Sequence, residues 1–202
     1  MKLYHTPTSP YARLVRMVVI EKGLSERVTL IEAKTRTPGS PYYAINPSGR
    51  VPFLVRDDGV GMEDSQLIAA YLDRLDGRPT LTPPPEHRDW AYGRLEAYAR
   101  SMVDGIAVHL REMRRPEGER SPTILAHEKA RAERLADFWE REISDPLMHG
   151  ALNIAQLLLV IALDAGRMAH LGRLEAGRAG LSEWAERLRQ RPSVRDTSPV
   201  PR

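Results

Sequence analysis

The chain has 202 residues and is 42% hydrophobic, enough for one large domain or two small ones with real cores. Its formal net charge of +3 is mild and it contains no cysteine, which excludes disulfides, cysteine-ligated metal and a cysteine nucleophile. The basic residues are mostly arginine, with lysine only at Lys2, Lys22, Lys34 and Lys129. Arg111, Arg114 and Arg115 alternate with Glu112 and Glu117, and Arg187, Arg189 and Arg191 with Glu183 and Glu186. Such mixed runs read as solvated helix faces, not as a nucleic-acid surface. The longest apolar run, 154–163, is interrupted by Gln156 and is too short to span a membrane. The first residues, Met1-Lys2-Leu3-Tyr4-His5, lack a signal-peptide core. The expectation is a cytoplasmic protein with no membrane partner.

In chain order, residues 2–5 read as a strand. Ser9 can cap a helix that opens on Pro10, carries an apolar stripe of Tyr11, Leu14, Val15 and Val18 and stops at Gly23. Residues 27–31 form a second strand, and 39–45 hold only a short helix. Residues 53–56 and 60–62 flank Asp57-Asp58-Gly59, a hairpin signal. A helix over 66–75 turns Leu67, Ile68, Tyr71 and Leu72 inward and ends at Gly77. The first strand–helix–strand unit places its strands parallel with a right-handed crossover. This α/β domain covers 1–77.

Pro79, Pro83, Pro84 and Pro85 mark 78–87 as a linker, and 88–202 reads as all helical. One helix covers 88–113 and is broken by Pro116-Glu117-Gly118. A second covers 123–143, with Leu125, Leu135, Phe138 and Trp139 as core residues. A third, over 153–163, is nearly all apolar and therefore central. A fourth, over 181–189, is ended by Pro192.

The most informative stretch is Asn46-Pro47-Ser48-Gly49-Arg50-Val51-Pro52-Phe53-Leu54, followed by Glu63-Asp64-Ser65. A proline opens an apolar extended run, one of the few places a strand tolerates it, and Val51-Pro52 is a candidate cis bond. A cis turn there leaves the Val51 N–H and C=O exposed, ready to pair with the backbone of a short peptide. Asp64-Ser65 opens a helix, where free N–H groups and the dipole favour a carboxylate. The pattern points to a small, anionic, peptide-like ligand. The six histidines show no paired metal-ligand spacing, so no metal is expected.

Thr8-Ser9-Pro10-Tyr11, Asn46-Pro47 with Val51-Pro52, and Asp64-Ser65 resemble the glutathione S-transferase family. In the helical half, Val103-Asp104-Gly105-Ile106, Arg115-Pro116-Glu117 and Arg191-Pro192-Ser193 resemble elements of its bacterial members. The resemblance implies a thioredoxin-like α/β domain joined to an all-α helical-bundle domain. It also implies a cytoplasmic homodimer that uses glutathione as co-substrate, without metal, in detoxification by transfer to a small hydrophobic electrophile. The alternatives are a glutathione-dependent peroxidase or thiol–disulfide reductase, and a non-enzymatic binding or regulatory protein of the same fold.

The resemblance implies roles residue by residue. Ser9, with Thr8 as its competitor, would donate to the glutathione sulfur and favour the thiolate; the alternative is that Ser9 only caps its helix. Val51 and Pro52 would hold the cysteinyl backbone. Asp64 and Ser65 would take the γ-glutamyl end, with Glu63 sharing the acidic role. Lys34, or Arg36, would take the glycyl carboxylate, and Asp104 the γ-glutamyl amine across a dimer interface. Tyr11, Arg111 and Met113 would line the second-substrate pocket. Asn153-Ile154-Ala155-Gln156 is similar to the family's buried capping box, with reciprocal hydrogen bonds between its ends, and is assigned to stability.

Overall fold

A computed structural model describes residues 1–78, 80–82 and 90–199. Pro79, Pro83, Pro84 and Pro85 of the expected linker, and the expected helix start at Arg88, lie outside the described residues. The chain divides into two compact units, Met1–Thr82 and Pro83–Arg202.

The first unit is a four-stranded sheet in the order β2-β1-β3-β4. Its elements are β1 (Lys2–His5), α1 (Pro10–Glu21), β2 (Thr29–Glu32), α2 (Tyr42–Ile45), β3 (Phe53–Val55), β4 (Gly61–Glu63) and α3 (Ser65–Arg74). β1 pairs parallel with β2 and antiparallel with β3, and β3 pairs antiparallel with β4. The second strand begins later than expected because Arg27 and Val28 donate to the Leu24 carbonyl and hold that end of the loop as a turn. Ser9 caps α1 as expected, accepting from the Ala12 N–H at 3.2 Å, with Pro10 in the first turn. Leu14, Val15 and Val18 are fully buried, and Tyr11 is half-buried. α3 packs against α1 through Ile68, Ala69 and Leu72. Leu67, expected inward, is 55% exposed; it lies one step around the helix from the buried stripe at 68 and 72. Tyr71, on the same flank, is half-buried, with the Arg56 guanidinium 5.5 Å from its ring centroid.

The unit continues past Gly77 because Asp73 holds the chain there. Its carboxylate is fully buried and accepts from the N–H groups of Thr80, Leu81 and Thr82 and from the Thr82 hydroxyl. Lys22 Nζ lies 3.5 Å from the same carboxylate and donates to the Arg78 carbonyl. Burial alone would raise the Asp73 pKa; the hydrogen bonds from Thr80 and Thr82 outweigh it and hold the carboxyl below its ordinary range.

The second unit contains α4 (Trp90–Met113), α5 (Pro122–Glu142), α6 (Ile154–Met168), α7 (Ala179–Arg189) and α8 (Pro192–Asp196). α6 is the centre: residues 154–166 are all buried, and α4 and α7 pack against it. The expected core of α5 needs correction. Trp139 is buried, but Leu125, Leu135 and Phe138 are only half-buried, and the inward stripe is Ala132, Ala136 and Trp139. Small residues dominate that stripe because α5 lies close to α4. At Gly105 a Cβ would come 2.5 Å from Glu128 Oε2. Phe138 instead stacks on Tyr98 at 4.1 Å beside Arg94.

Two further expectations change. Asn153 caps α6 by accepting from the Gln156 N–H, but Gln156 does not reach back. Its amide donates to the Leu147 and Ala151 carbonyls, drawn by the turn that precedes the helix. Arg189 is not on a solvated face: its side chain is 13% exposed and is bonded to Asp164, Glu175 and Glu186. Glu175 is fully buried and also accepts from Arg167 and Arg173. Here too burial would raise the carboxyl, and the arginines hold it down. Among the described residues no helix is long and apolar enough to cross a membrane.

Asp73→Asn replaces an all-acceptor group with one that turns a donor toward backbone N–H groups. The variant should lose about 2–4 kcal/mol of stability in urea unfolding at neutral pH. Because the folded pKa lies below the unfolded value of about 3.9, the wild-type contribution is complete above that value. It should fade as pH falls through the folded pKa, so the gap between the two proteins closes in acid. A gap independent of pH would contradict the assignment.

Candidate functional site

Strand direction assembles the site. His5 pairs with Glu32, so β1 and β2 end at the same edge of the sheet. Tyr4 faces Phe53, the first residue of β3, and Phe53 faces Glu63, the last residue of β4. Four connections therefore meet at one edge: Ser9 follows β1, Lys34 follows β2, Val51-Pro52 precedes β3 and Asp64-Ser65 follows β4. The sheet thus brings together six of the expected residues that are distant in sequence.

The Val51-Pro52 bond is cis, as expected. Val51 is half-buried and packs against Ala33, Tyr42 and Phe53. Its N–H and C=O make no hydrogen bond among the described residues. The turn before it is heavily bonded. Asn46, 3% exposed, donates from Nδ2 to the Arg50 carbonyl at 3.0 Å and to Glu63 Oε2 at 2.9 Å. Its Oδ1 accepts from the Ser48 N–H. Tyr42 donates to the same Arg50 carbonyl at 2.5 Å, and Ser48 Oγ bonds to Glu63. Burial keeps the Tyr42 hydroxyl protonated by raising its pKa. Gly49 closes the turn at φ +66, where a Cβ would lie 2.6 Å from the Tyr43 ring. Glu63, expected to share a ligand-binding role with Asp64, turns its Oε2 to Asn46 and Ser48, because β4 ends directly beside that turn.

Asp64 adopts φ +80, rare for a residue with a side chain. Its Oδ1 accepts from the Gln66 and Leu67 N–H groups, so it is the cap of α3. Ser65 follows as the first helical residue and is buried. Ser9 is half-buried; its oxygen accepts the Ala12 bond, which leaves the hydroxyl hydrogen available for donation. Capping and donation to a ligand are therefore compatible in one hydroxyl. Thr8 is exposed, as are Lys34 and Arg36, and Arg36 takes φ +55. Tyr11 lies in the first turn of α1.

Asp104, Arg111 and Met113 belong to the second unit, on α4. Asp104 and Met113 are half-buried, and Arg111 donates from Nε to the Ala107 carbonyl one turn earlier. No cluster of side chains suited to a metal occurs among the described residues.

Two residues at the sheet edge have no role assigned from the sequence. Asn46 was visible only as half of Asn-Pro, although a polar residue before a proline-led turn is a signal for turn hydrogen bonding. His5 ends β1, and its Nδ1 is buried without a partner among the described residues. Burial and then the Arg16 charge lower its pKa, so it is neutral at pH 7.

Residues 3–80 match the profile of the glutathione S-transferase N-terminal domain. The chain is 27% identical over 164 residues to a GST-like protein from Escherichia coli K12, YibF, covering 81% of this chain and 80% of that one. It is 25% identical to glutathione S-transferase 2 of Saccharomyces cerevisiae, over 96% of this chain and 88% of the relative. In structure it is similar to a glutathione transferase family member from Pseudomonas fluorescens Pf-5, solved with bound glutathione. That match has a TM-score of 0.85 at 27% identity and covers 99% of each chain. Residues 3–80 thus form a thioredoxin-like unit matching the glutathione S-transferase N-terminal domain, the second unit is all helical, and the two together have the fold of the Pseudomonas glutathione transferase family member.

Proposed function

We propose that this protein is a glutathione transferase that binds the tripeptide along the sheet edge and activates its thiol for attack on a small hydrophobic electrophile. The observation that carries the reading is the convergence of Ser9, Lys34, Val51-Pro52 and Asp64-Ser65 at one end of four strands. Glutathione bound in the Pseudomonas relative supports it. The unused Val51 N–H and C=O would pair with the cysteinyl residue as an added strand does. The Ser65 N–H at the α3 N-terminus suits the γ-glutamyl carboxylate, and Asp64 Oδ2, not used in the cap, suits the ammonium. Lys34 would meet the glycyl carboxylate. Asp104 would reach the γ-glutamyl amine of the other subunit, and Tyr11, Arg111 and Met113 would face the electrophile.

The chemistry is thiolate stabilisation followed by displacement. Donation from Ser9 and the positive end of α1 favour the anion. The thiol proton leaves to solvent, the sulfur lone pair forms the new bond to carbon, and the leaving group departs with its bonding electrons. Holding both reactants supplies the rest of the acceleration.

Ser9→Ala should raise the pKa of bound glutathione by about one unit, read from thiolate absorbance against pH. Each unit is about 1.4 kcal/mol of lost preference for the anion. Turnover of an aryl halide at neutral pH should fall roughly tenfold. Ser9→Thr keeps a hydroxyl and should retain both properties. An unchanged thiol pKa and turnover in Ser9→Ala would remove the catalytic role and leave the cap alone.

The family resemblance also leads us to infer a homodimer. Light scattering at micromolar concentration should give twice the 22.8 kDa chain mass. A monomer mass would overturn both the dimer and the role given to Asp104.

A further inference from the structure

The 46–50 turn contains more hydrogen bonding than a connection of its length requires. The Arg50 carbonyl accepts two donors, Tyr42 Oη at 2.5 Å and Asn46 Nδ2 at 3.0 Å. Asn46 has only two amide hydrogens, and the second goes to Glu63 Oε2 at the end of β4. Asn46 itself is fixed by its Oδ1 on the Ser48 N–H and by its own N–H on the Tyr42 carbonyl. The Arg50 C=O and the Val51 N–H belong to one planar peptide unit, and only the next bond is cis. In a trans peptide the C=O and N–H point in opposite directions. A carbonyl held against Tyr42 and Asn46 therefore turns the Val51 N–H away from them, and that N–H has no partner among the described residues.

We propose that Asn46 is a positioning residue for the tripeptide: with Tyr42 and Glu63 it locks the Arg50–Val51 peptide plane so that the Val51 main chain is preset to pair with the ligand backbone. This rests on the glutathione reading above. It assigns Asn46 and Glu63 no contact with the ligand and no part in the thiol chemistry. Presetting the plane removes an ordering cost that would otherwise be met on binding. Its loss weakens binding of the tripeptide while leaving the saturated enzyme able to turn over.

The test compares the unaltered chain with Asn46→Asp and with Asn46→Asp combined with Glu63→Gln. Aspartate at 46 has no donor for Arg50 and sets a second carboxylate against Glu63. In the double variant the glutamine amide donates to the aspartate and rejoins the turn to β4 with the bond reversed. Glutathione titrated by calorimetry should bind Asn46→Asp about tenfold or more weakly. Its KM for glutathione should rise while kcat at saturation stays within about threefold. The double variant should recover only part of the affinity, because it restores the link to β4 while Arg50 still lacks its donor at position 46. In amide NMR, glutathione should shift and protect the Val51 N–H of the unaltered chain and do so less in Asn46→Asp at equal occupancy.

Unchanged glutathione affinity in a folded Asn46→Asp, or a double variant no better than the single one, would overturn the proposal while leaving the glutathione reading intact. Failure of the unaltered chain to bind glutathione would overturn both. If Asn46→Asp does not fold, Tyr42→Phe removes one donor to Arg50 and should raise the glutathione Kd about threefold; no rise would refute the lock.

Discussion

Because β3 runs antiparallel beside the parallel pair β1–β2, its first residue stands where the other three strands end. Every residue assigned to ligand binding in the first unit depends on that direction. A parallel β3 would carry Val51-Pro52 to the opposite edge, away from Ser9, Lys34 and Asp64-Ser65. The hairpin at Asp57-Asp58-Gly59 then returns the chain to the same edge. The turn closes with Arg56 and Val60 paired and Gly59 at φ +82, so β4 delivers Asp64-Ser65 beside Val51. The site is thus a product of topology first and of side chains second.

Buried polar groups give that edge its definition. Asn46, nearly without solvent exposure, joins α2, the 48–50 turn and β4 through bonds on both sides of its amide. Asp73 does comparable work away from the site by holding residues 80–82 against α3. In the second unit Glu175 gathers Arg167, Arg173 and Arg189. Each would be costly if left unsatisfied, and each ties together segments separated by loops. Apolar packing of α1, α3 and α6 supplies the bulk stabilisation, while these polar nodes select where the connecting chain sits.

The apolar periodicities of α1 and α6, the Ser9 cap, the Asp-Gly hairpin and Val51-Pro52 were legible because each is written in a few adjacent residues. What the sequence concealed depends on neighbours remote in the chain. The inward stripe of α5 is alanine and tryptophan because α4 approaches closely at Gly105, a fact that no window on α5 contains. Arg189 looked like a member of a solvated charged run, but Asp164 and Glu175 draw it inward from 25 and 14 residues away. Glu63 and Asp64 are adjacent acids with different duties, one bracing a turn and one capping a helix. The +80° φ of Asp64 was equally invisible, since nothing in Glu-Asp-Ser calls for it. The succession of strands and helices along the chain was legible; the antiparallel place of β3 beside β1 and the hydrogen bonds that fix the edge were not.

On the proposed reading, the unused Val51 main chain receives the backbone of glutathione. A crystal structure of this chain with the tripeptide tests it most directly. The cysteinyl N–H and C=O should lie at about 2.7–3.2 Å from the Val51 carbonyl and amide, with the γ-glutamyl carboxylate at the start of α3 and the sulfur beside Ser9. A tripeptide bound elsewhere, or bound at this edge with Val51 still unpaired, would contradict it.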